Sequence, residues 1–213
     1  MKLTVVYDNE VKKEGLRRGY GFSCFIEAEN MPSVLFDTGG DSPTLLHNMK
    51  ELSIDPKDIG IIVISHAHGD HAGGLSRILQ MNETAELYLP ASFGELTLPR
   101  KIITVKGATQ ICEDVFSTGE LMGIEQSLAV KTDKGILVVT GCAHPGVVNI
   151  LKAARKFGKL HGILGGFHGF REFEALKGLS FICPCHCTAY KEEIRQLYPN
   201  RALECGAGLV VEL

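Results

Sequence analysis

The stretch Ile59-Gly60-Ile61-Ile62-Val63-Ile64-Ser65-His66-Ala67-His68-Gly69-Asp70-His71 decides how the chain is read. Its first half is apolar at almost every position, as a strand buried on both faces must be. Such a strand would ordinarily end in a neutral turn. This one ends in three imidazoles and a carboxylate within six residues. All four are ligands for borderline divalent metals, and Gly69 lets the chain bend so that they converge. The spacing suits two cations better than one. His66 and His68 point the same way if the loop begins extended, while Asp70 and His71 lie past the glycine bend and can serve a neighbouring ion. The alternative is a polar surface loop whose histidines are accidental. It would place three of the chain's eight histidines on six positions by chance.

Composition narrows the classes of function. A chain of 213 residues, 45% hydrophobic and 22% charged, fits one globular domain spanning 1–213 with room for a substantial core. A net charge of −3 carries no basic footprint, so nucleic acid is not expected as a partner. No apolar run approaches the roughly 20 residues of a membrane span. The first residues form a short strand pattern without signal-peptide architecture. Seven cysteines, an odd count, disfavour a full disulfide framework and suit a reducing cytoplasm.

Along the chain, residues 3–7, 20–27 and 33–36 read as strands, the last two joined through Glu29-Asn30-Met31-Pro32. Ser42 as N-cap and Pro43 as first helical residue open a helix to about position 52. A helix over 74–81 and a strand over 86–89 follow the His-rich loop. Residues 90–118 carry only short apolar runs. Residues 127–132 and 135–139 form a hairpin across Asp133-Lys134-Gly135. Then strand, histidine-bearing turn and helix recur. Gly141-Cys142-Ala143-His144-Pro145-Gly146 leads into an amphipathic helix over 147–157. A strand over 160–164 ends in Gly165-Gly166-Phe167-His168, with a short helix over 172–177. A strand over 179–183 ends in Pro184-Cys185-His186-Cys187-Thr188, with a helix over 189–198. Closing strands are expected near 202–205 and 208–212. Loops at strand ends bring reactive side chains onto one rim above a rigid base.

The motif His66-Ala67-His68-Gly69-Asp70-His71 is followed by Gly73-Gly74 and a helix, and preceded by Phe36-Asp37-Thr38-Gly39. With single histidines at 144, 168 and 186, this pattern resembles the metallo-β-lactamase superfamily over nearly the whole chain. The resemblance implies an α+β fold, an αββα sandwich of two mixed sheets flanked by helices; periodicity alone gives only mixed α and β. It makes His144 the third ligand of the cation begun by His66 and His68, and gives His186 to the second cation with Asp70 and His71. It makes Asp37 the group that orients the His-rich loop, since metal-bound histidines need a partner for the other ring nitrogen. In that superfamily an aspartate beyond the third histidine commonly bridges both metals. No aspartate follows Asp133, which belongs to a hairpin turn, and His168 stands where the bridge is expected. A neutral ring has one nitrogen with a free lone pair, so His168 cannot bridge as a carboxylate does. It is left to bind one metal, or to act as general acid or phosphate donor.

Several further stretches resemble one branch of that superfamily, the 7,8-dihydropterin-6-yl-methyl-4-(β-D-ribofuranosyl)aminobenzene 5′-phosphate synthase-like proteins. They are Tyr7-Asp8-Asn9, Gly21-Phe22-Ser23, the run from Gly141 to Ile150, Gly165-Gly166-Phe167-His168 and Pro184-Cys185-His186-Cys187-Thr188. The comparison puts Asp8 and Asn9 near the mouth of the site, as candidates to meet substrate. Ala189 departs from the glycine more usual after Cys-His-Cys-Thr.

Alternation along 183–187 would put three sulfurs on one side and His186 on the other. A thiolate zinc site usually draws on two separated pairs, and Cys24, Cys112, Cys142 and Cys205 are isolated, so the cysteines are expected to pack. His47 and His161 are expected to be structural.

The expectation is therefore a metal-dependent hydrolase with two divalent ions, zinc first and manganese or iron as alternatives. Asp70 and His168 are its candidate catalytic groups, and a small phosphodiester, lactone or thioester is its substrate. The competing readings are a transferase forming a ribofuranosylaminobenzene 5′-phosphate, and a non-enzymatic metal or ligand sensor.

Overall fold

The computed structural model describes residues 1–98 and 100–213. The first six strands, β1 (Lys2–Tyr7), β2 (Ser23–Ala28), β3 (Met31–Phe36), β4 (Ile61–Val63), β5 (Glu86–Pro90) and β6 (Ile102–Val105), build one sheet. The next six, β7 (Thr109–Cys112), β8 (Val115–Ser117), β9 (Leu128–Thr132), β10 (Gly135–Thr140), β11 (Leu160–Gly166) and β12 (Phe181–Cys185), build the other. A last strand, β13 (Val210–Glu212), returns to pair antiparallel with β1 and completes the order β13-β1-β2-β3-β4-β5-β6. Both sheets are mixed. β3 to β6 run parallel, as do β10 to β12, and the remaining pairs are antiparallel.

Alternation explains why the strands read as unbroken apolar runs. Val34, Phe36, Ile61 and Val63 point into the core between the sheets, which Leu137, Val139 and Leu164 fill from the other side. Leu35, Ile62 and Ile64 point outward, beneath α1 (Ser42–Glu51), α2 (Gly69–Ala72) and α3 (Leu75–Met81). Ile136, Val138 and Ile163 point outward on the second sheet. They lie beneath α4 (Val147–Ala154) and α5 (Lys191–Leu197). This is two mixed sheets back to back with helices on both outer faces, the expected αββα sandwich. No helix among the described residues is long and apolar enough to cross a membrane.

Several boundaries differ from the sequence reading, each for a local reason. Asp41, not Ser42, caps α1: its Oδ1 accepts from the Thr44 amide at 2.7 Å, and Oδ2 accepts from the Tyr7 hydroxyl at 2.7 Å. Pro43 is therefore the second helical residue rather than the first. The helix expected over 147–157 tightens into a 3₁₀ turn at Arg155–Phe157, and that expected over 172–177 is a 3₁₀ turn at Phe173–Leu176. The strand expected near 202–205 is a single bridge between Ile182 and Ala202.

What the fold does for function lies at the carboxyl ends of the parallel strands. Phe36 is in register with Val63, Thr140 with Gly165, and Gly166 with Cys185. The loops that follow β3, β4, β10, β11 and β12 therefore leave the sheets side by side. These loops carry Asp37, His66 to His71, His144, His168 and His186.

Candidate metal centre

Strand ends place these side chains through backbone conformations that ordinary residues avoid. Asp37, Ala143, His168 and His186 have φ of 59°, 60°, 47° and 45°. Four of the seven positive-φ non-glycine residues among the described residues thus sit at this rim. At His186 this turns the chain out of strand alternation, so Cys187 does not join Cys183 and Cys185 in the core between the sheets. Its Sγ lies 3.2 Å from that of Cys142 instead. The expected three-sulfur face is corrected accordingly.

Two neighbouring sets of ligating atoms result. Asp70, His71, Cys142 and His186 each offer an atom within 4.8 Å of the others, and so do His66, Cys142 and His144. His68 joins neither set on that measure, but its Nδ1 lies 3.0 Å from His66 Nε2 and its ring 4.9 Å from that of His144. It is exposed, where a ring turns freely on fast timescales. His168 is exposed too; its ring lies 5.2 Å from that of His144 and outside both sets. His47 donates from Nε2 to the Gly15 carbonyl at 2.8 Å, and His161 lies on β11 away from the rim.

The partners of the rings fix which nitrogen faces the site. Ser65 Oγ donates its proton to Asp37 Oδ2 at 2.7 Å, so it can only accept from His66 Nδ1 at 2.8 Å. Asp37 Oδ2 also accepts from His71 Nδ1 at 2.7 Å, and Oδ1 from the Ser65 amide at 2.6 Å. Asn9 Oδ1 accepts from His186 Nδ1 at 2.9 Å. His66, His71 and His186 thus each turn Nε2 toward the same space. Asp8 and Asn9, expected at the mouth, sit behind His186. Asp8 is buried, and its Oδ2 accepts the His186 amide at 3.0 Å.

Electrostatics favour neutral rings at His66 and His186 but not at His71. Burial, helped by the neighbouring imidazoles, holds His66 down to about 2. Burial, with His71 next, holds His186 down to about 3. Burial also opposes charge on His71, but Asp37, Asp70 and Glu125 together carry its pKa above the ordinary value. Desolvation raises buried Asp8 to about 7. The two rings held neutral, with the carboxylates of Asp37, Asp70 and Glu125 around His71, make a place that favours added positive charge.

The donor set fits a metal on one further count. His144 Nε2 is buried and has no hydrogen-bond partner among the described residues. Leaving such an atom unsatisfied costs about 1–3 kcal/mol, and coordination is one way to satisfy it.

The sequence pattern that defines the metallo-β-lactamase superfamily matches residues 16–102. A Methanocaldococcus jannaschii protein named 7,8-dihydropterin-6-methyl-4-(β-D-ribofuranosyl)-aminobenzene-5′-phosphate synthase is 30% identical, across 82% of this chain and 82% of its own. The chain belongs to the metallo-β-lactamase superfamily. An uncharacterized protein of the same archaeon is 29% identical across 89% of this chain and 91% of its own. Among solved structures, one described as a metal-dependent hydrolase of the β-lactamase superfamily superposes with a TM-score of 0.81. It is 26% identical and covers 100% of this chain and 99% of its own. The metallo-β-lactamase fold protein YhfI of Bacillus subtilis, at 12% identity and a TM-score of 0.72, covers 100% and 98% and shares the fold.

Within this superfamily frame, three further residues at the site, besides Ser65, escaped the sequence reading. Glu125 is buried beneath the loop after β10; its Oε1 accepts the Cys142 and Ala143 amides at 3.0 Å each, and its Oε2 the His144 amide at 2.8 Å. Burial raises its pKa while the His144 and Ala143 amides favour its ionised form. Cys142, expected to pack, is 3% exposed yet belongs to neither the core between the sheets nor the cores beneath the helices. Tyr20 is exposed and sets its ring edgewise against His186, 5.0 Å between centroids. Only Cys142 had a sequence signal, its place in the turn two residues before His144.

Proposed function

We propose that the protein is a hydrolase using two divalent cations, zinc ahead of manganese or iron, to direct water against a small phosphodiester, lactone or thioester. The observation that carries this reading is a meeting of acceptors. Once His186 Nδ1 donates to Asn9, its Nε2 lone pair faces Asp70 Oδ2 at 3.2 Å with no proton between them. His66, His68 and His144 hold one cation on this reading; Asp70, His71 and His186 hold its neighbour. Cations so held supply Lewis acidity toward an ester or phosphoryl oxygen and acidify water toward neutrality. Asp70, its side chain 21% exposed, is the carboxylate placed to orient water and take up its proton. His168, exposed beside His144, would give a proton to a departing oxygen or sulfur. Asp37, Ser65 and Asn9 keep the ring nitrogens aimed. The likeness to a protein described as a metal-dependent hydrolase supports the reading.

The test is elemental analysis of the purified protein, coupled to a panel of phosphodiesters, lactones and thioesters with and without chelator. Two equivalents of metal and chelator-sensitive turnover are expected. Metal-free protein, or turnover indifferent to chelation, would sink the reading. One observation favours a second activity, the likeness to the archaeal synthase. In that case the same centre would serve formation of a ribofuranosylaminobenzene phosphate product, and metal-dependent product formation without ester hydrolysis would select it.

A further inference from the structure

The two sets of ligating atoms share one member, Cys142. Its Sγ lies 3.1 Å from His71 Nε2 in one set, and stands with His66 and His144 in the other. The loop that carries it is pinned, because the amides of Cys142, Ala143 and His144 all donate to Glu125. Sulfur and His144 nitrogen therefore keep one mutual placement. The side chain is buried outside the hydrophobic cores, so packing does not account for it.

Other candidates for a shared ligand fall away. A neutral imidazole has one available lone pair and serves one cation. Asp70 belongs to one set alone. Both oxygens of Glu125 are taken by backbone amides. A thiolate sulfur keeps several lone pairs after binding one cation, and it is a soft ligand suited to zinc or iron. Cys187 Sγ, 3.2 Å from Cys142 Sγ, is well beyond the roughly 2.05 Å of a disulfide, so the two sulfurs are not joined.

We propose that Cys142, as thiolate, lies between the two cations and binds both through Sγ. On loading, the S–H bond breaks, its proton leaves to solvent, and two sulfur–metal bonds form; nothing is oxidised or reduced. The proposal rests on the two-cation reading given above. It adds a preference for soft divalent ions over magnesium or calcium, which thiolates bind poorly.

X-ray absorption at the zinc edge tests it on the intact protein carrying two equivalents of zinc. A shared thiolate predicts one sulfur neighbour per zinc, at about 2.3 Å. Half a sulfur per zinc, the mark of a terminal ligand, would overturn the proposal, as would none. Cys142→Ser should remove the sulfur neighbour from whatever zinc it retains, and Cys187→Ser should keep it in full. The reverse pattern would assign the sulfur to Cys187 and overturn the proposal. Protein that takes up no zinc at all would end this proposal together with the two-cation reading. Two zincs without sulfur would end this one alone.

Discussion

The two ligand sets lie side by side, yet the protein supports them unequally. In the set of Asp70, His71 and His186 both rings are buried, and each Nδ1 has a side-chain acceptor, Asp37 for His71 and Asn9 for His186. Of His66, His68 and His144, the three histidines proposed to hold the other cation, only His66 is so held, through Ser65. His68 is exposed, and His144 is fixed by its backbone amide while its Nε2 has no partner among the described residues. On the two-cation reading proposed above, the first set would be built before a cation arrives. The second would be completed by its cation and would spend part of the binding energy on ordering.

The largest effect is expected where the prebuilt set meets the fold. Asp37 is buried and accepts from Ser65 amide, Ser65 Oγ and His71 Nδ1. Asp37→Ala leaves those donors without an acceptor and should cost about 3–5 kcal/mol in denaturant unfolding. It should also empty the set that contains His71. An unfolding midpoint equal to that of the parent protein would mean that the two sets are not supported as described.

Glu125→Gln attacks the other side of the comparison. The amide nitrogen that replaces one carboxylate oxygen faces backbone donors it cannot accept from. A loss of about 1–3 kcal/mol follows, with metal released first from the set containing His144. Elemental analysis at limiting zinc distinguishes this from general unfolding, because the set built on Asp37 should keep its equivalent. Loss of both equivalents in parallel would show that the sets are not separable.

These two carboxylates also mark how far the sequence could be read. The run from Ile59 to His71 was legible because a buried strand and a cluster of candidate metal ligands both write themselves in adjacent positions. Asp37 was legible only through resemblance; its φ of 59° and its three donors come from contacts 28 and 34 residues away. Glu125 had no local signal at all. It sits outside any strand or helix, and its donors are backbone amides that any residue would carry. Alternation carried through His186 assigns Cys187 to packing, and the left-handed turn there breaks it; Cys142 reads as packing because it is isolated in sequence from any second cysteine. The cap of α1 was misplaced by one residue since Asp41 and Ser42 are both good caps, and the Tyr7 hydroxyl helps hold Asp41.

Stepwise chelation sharpens the contrast directly. The first equivalent should leave from the set of His66, His68 and His144, with an affinity about 10–100-fold weaker than the second. Asn9→Ala removes the acceptor behind His186 and should narrow that gap by a similar factor while barely moving the unfolding midpoint, since Asn9 is only partly buried. A gap that stays as wide in the variant would mean that ring orientation by Asn9 contributes little.

The smallest effect on metal and stability is expected at His168. Its ring belongs to neither ligand set, and it is exposed just past the end of β11 with its ring 5.2 Å from that of His144. His168→Ala should leave two equivalents bound and the unfolding midpoint within about 0.5 kcal/mol of the parent. Turnover should nonetheless fall by about 100-fold or more if the ring hands a proton to the leaving group, because general acid catalysis is worth that much. The loss should shrink for substrates whose leaving group is already a weak base, since these need no proton. A variant that lost one equivalent would instead place His168 among the ligands of the weaker set, and its exposure would then be a property of the metal-free arrangement alone.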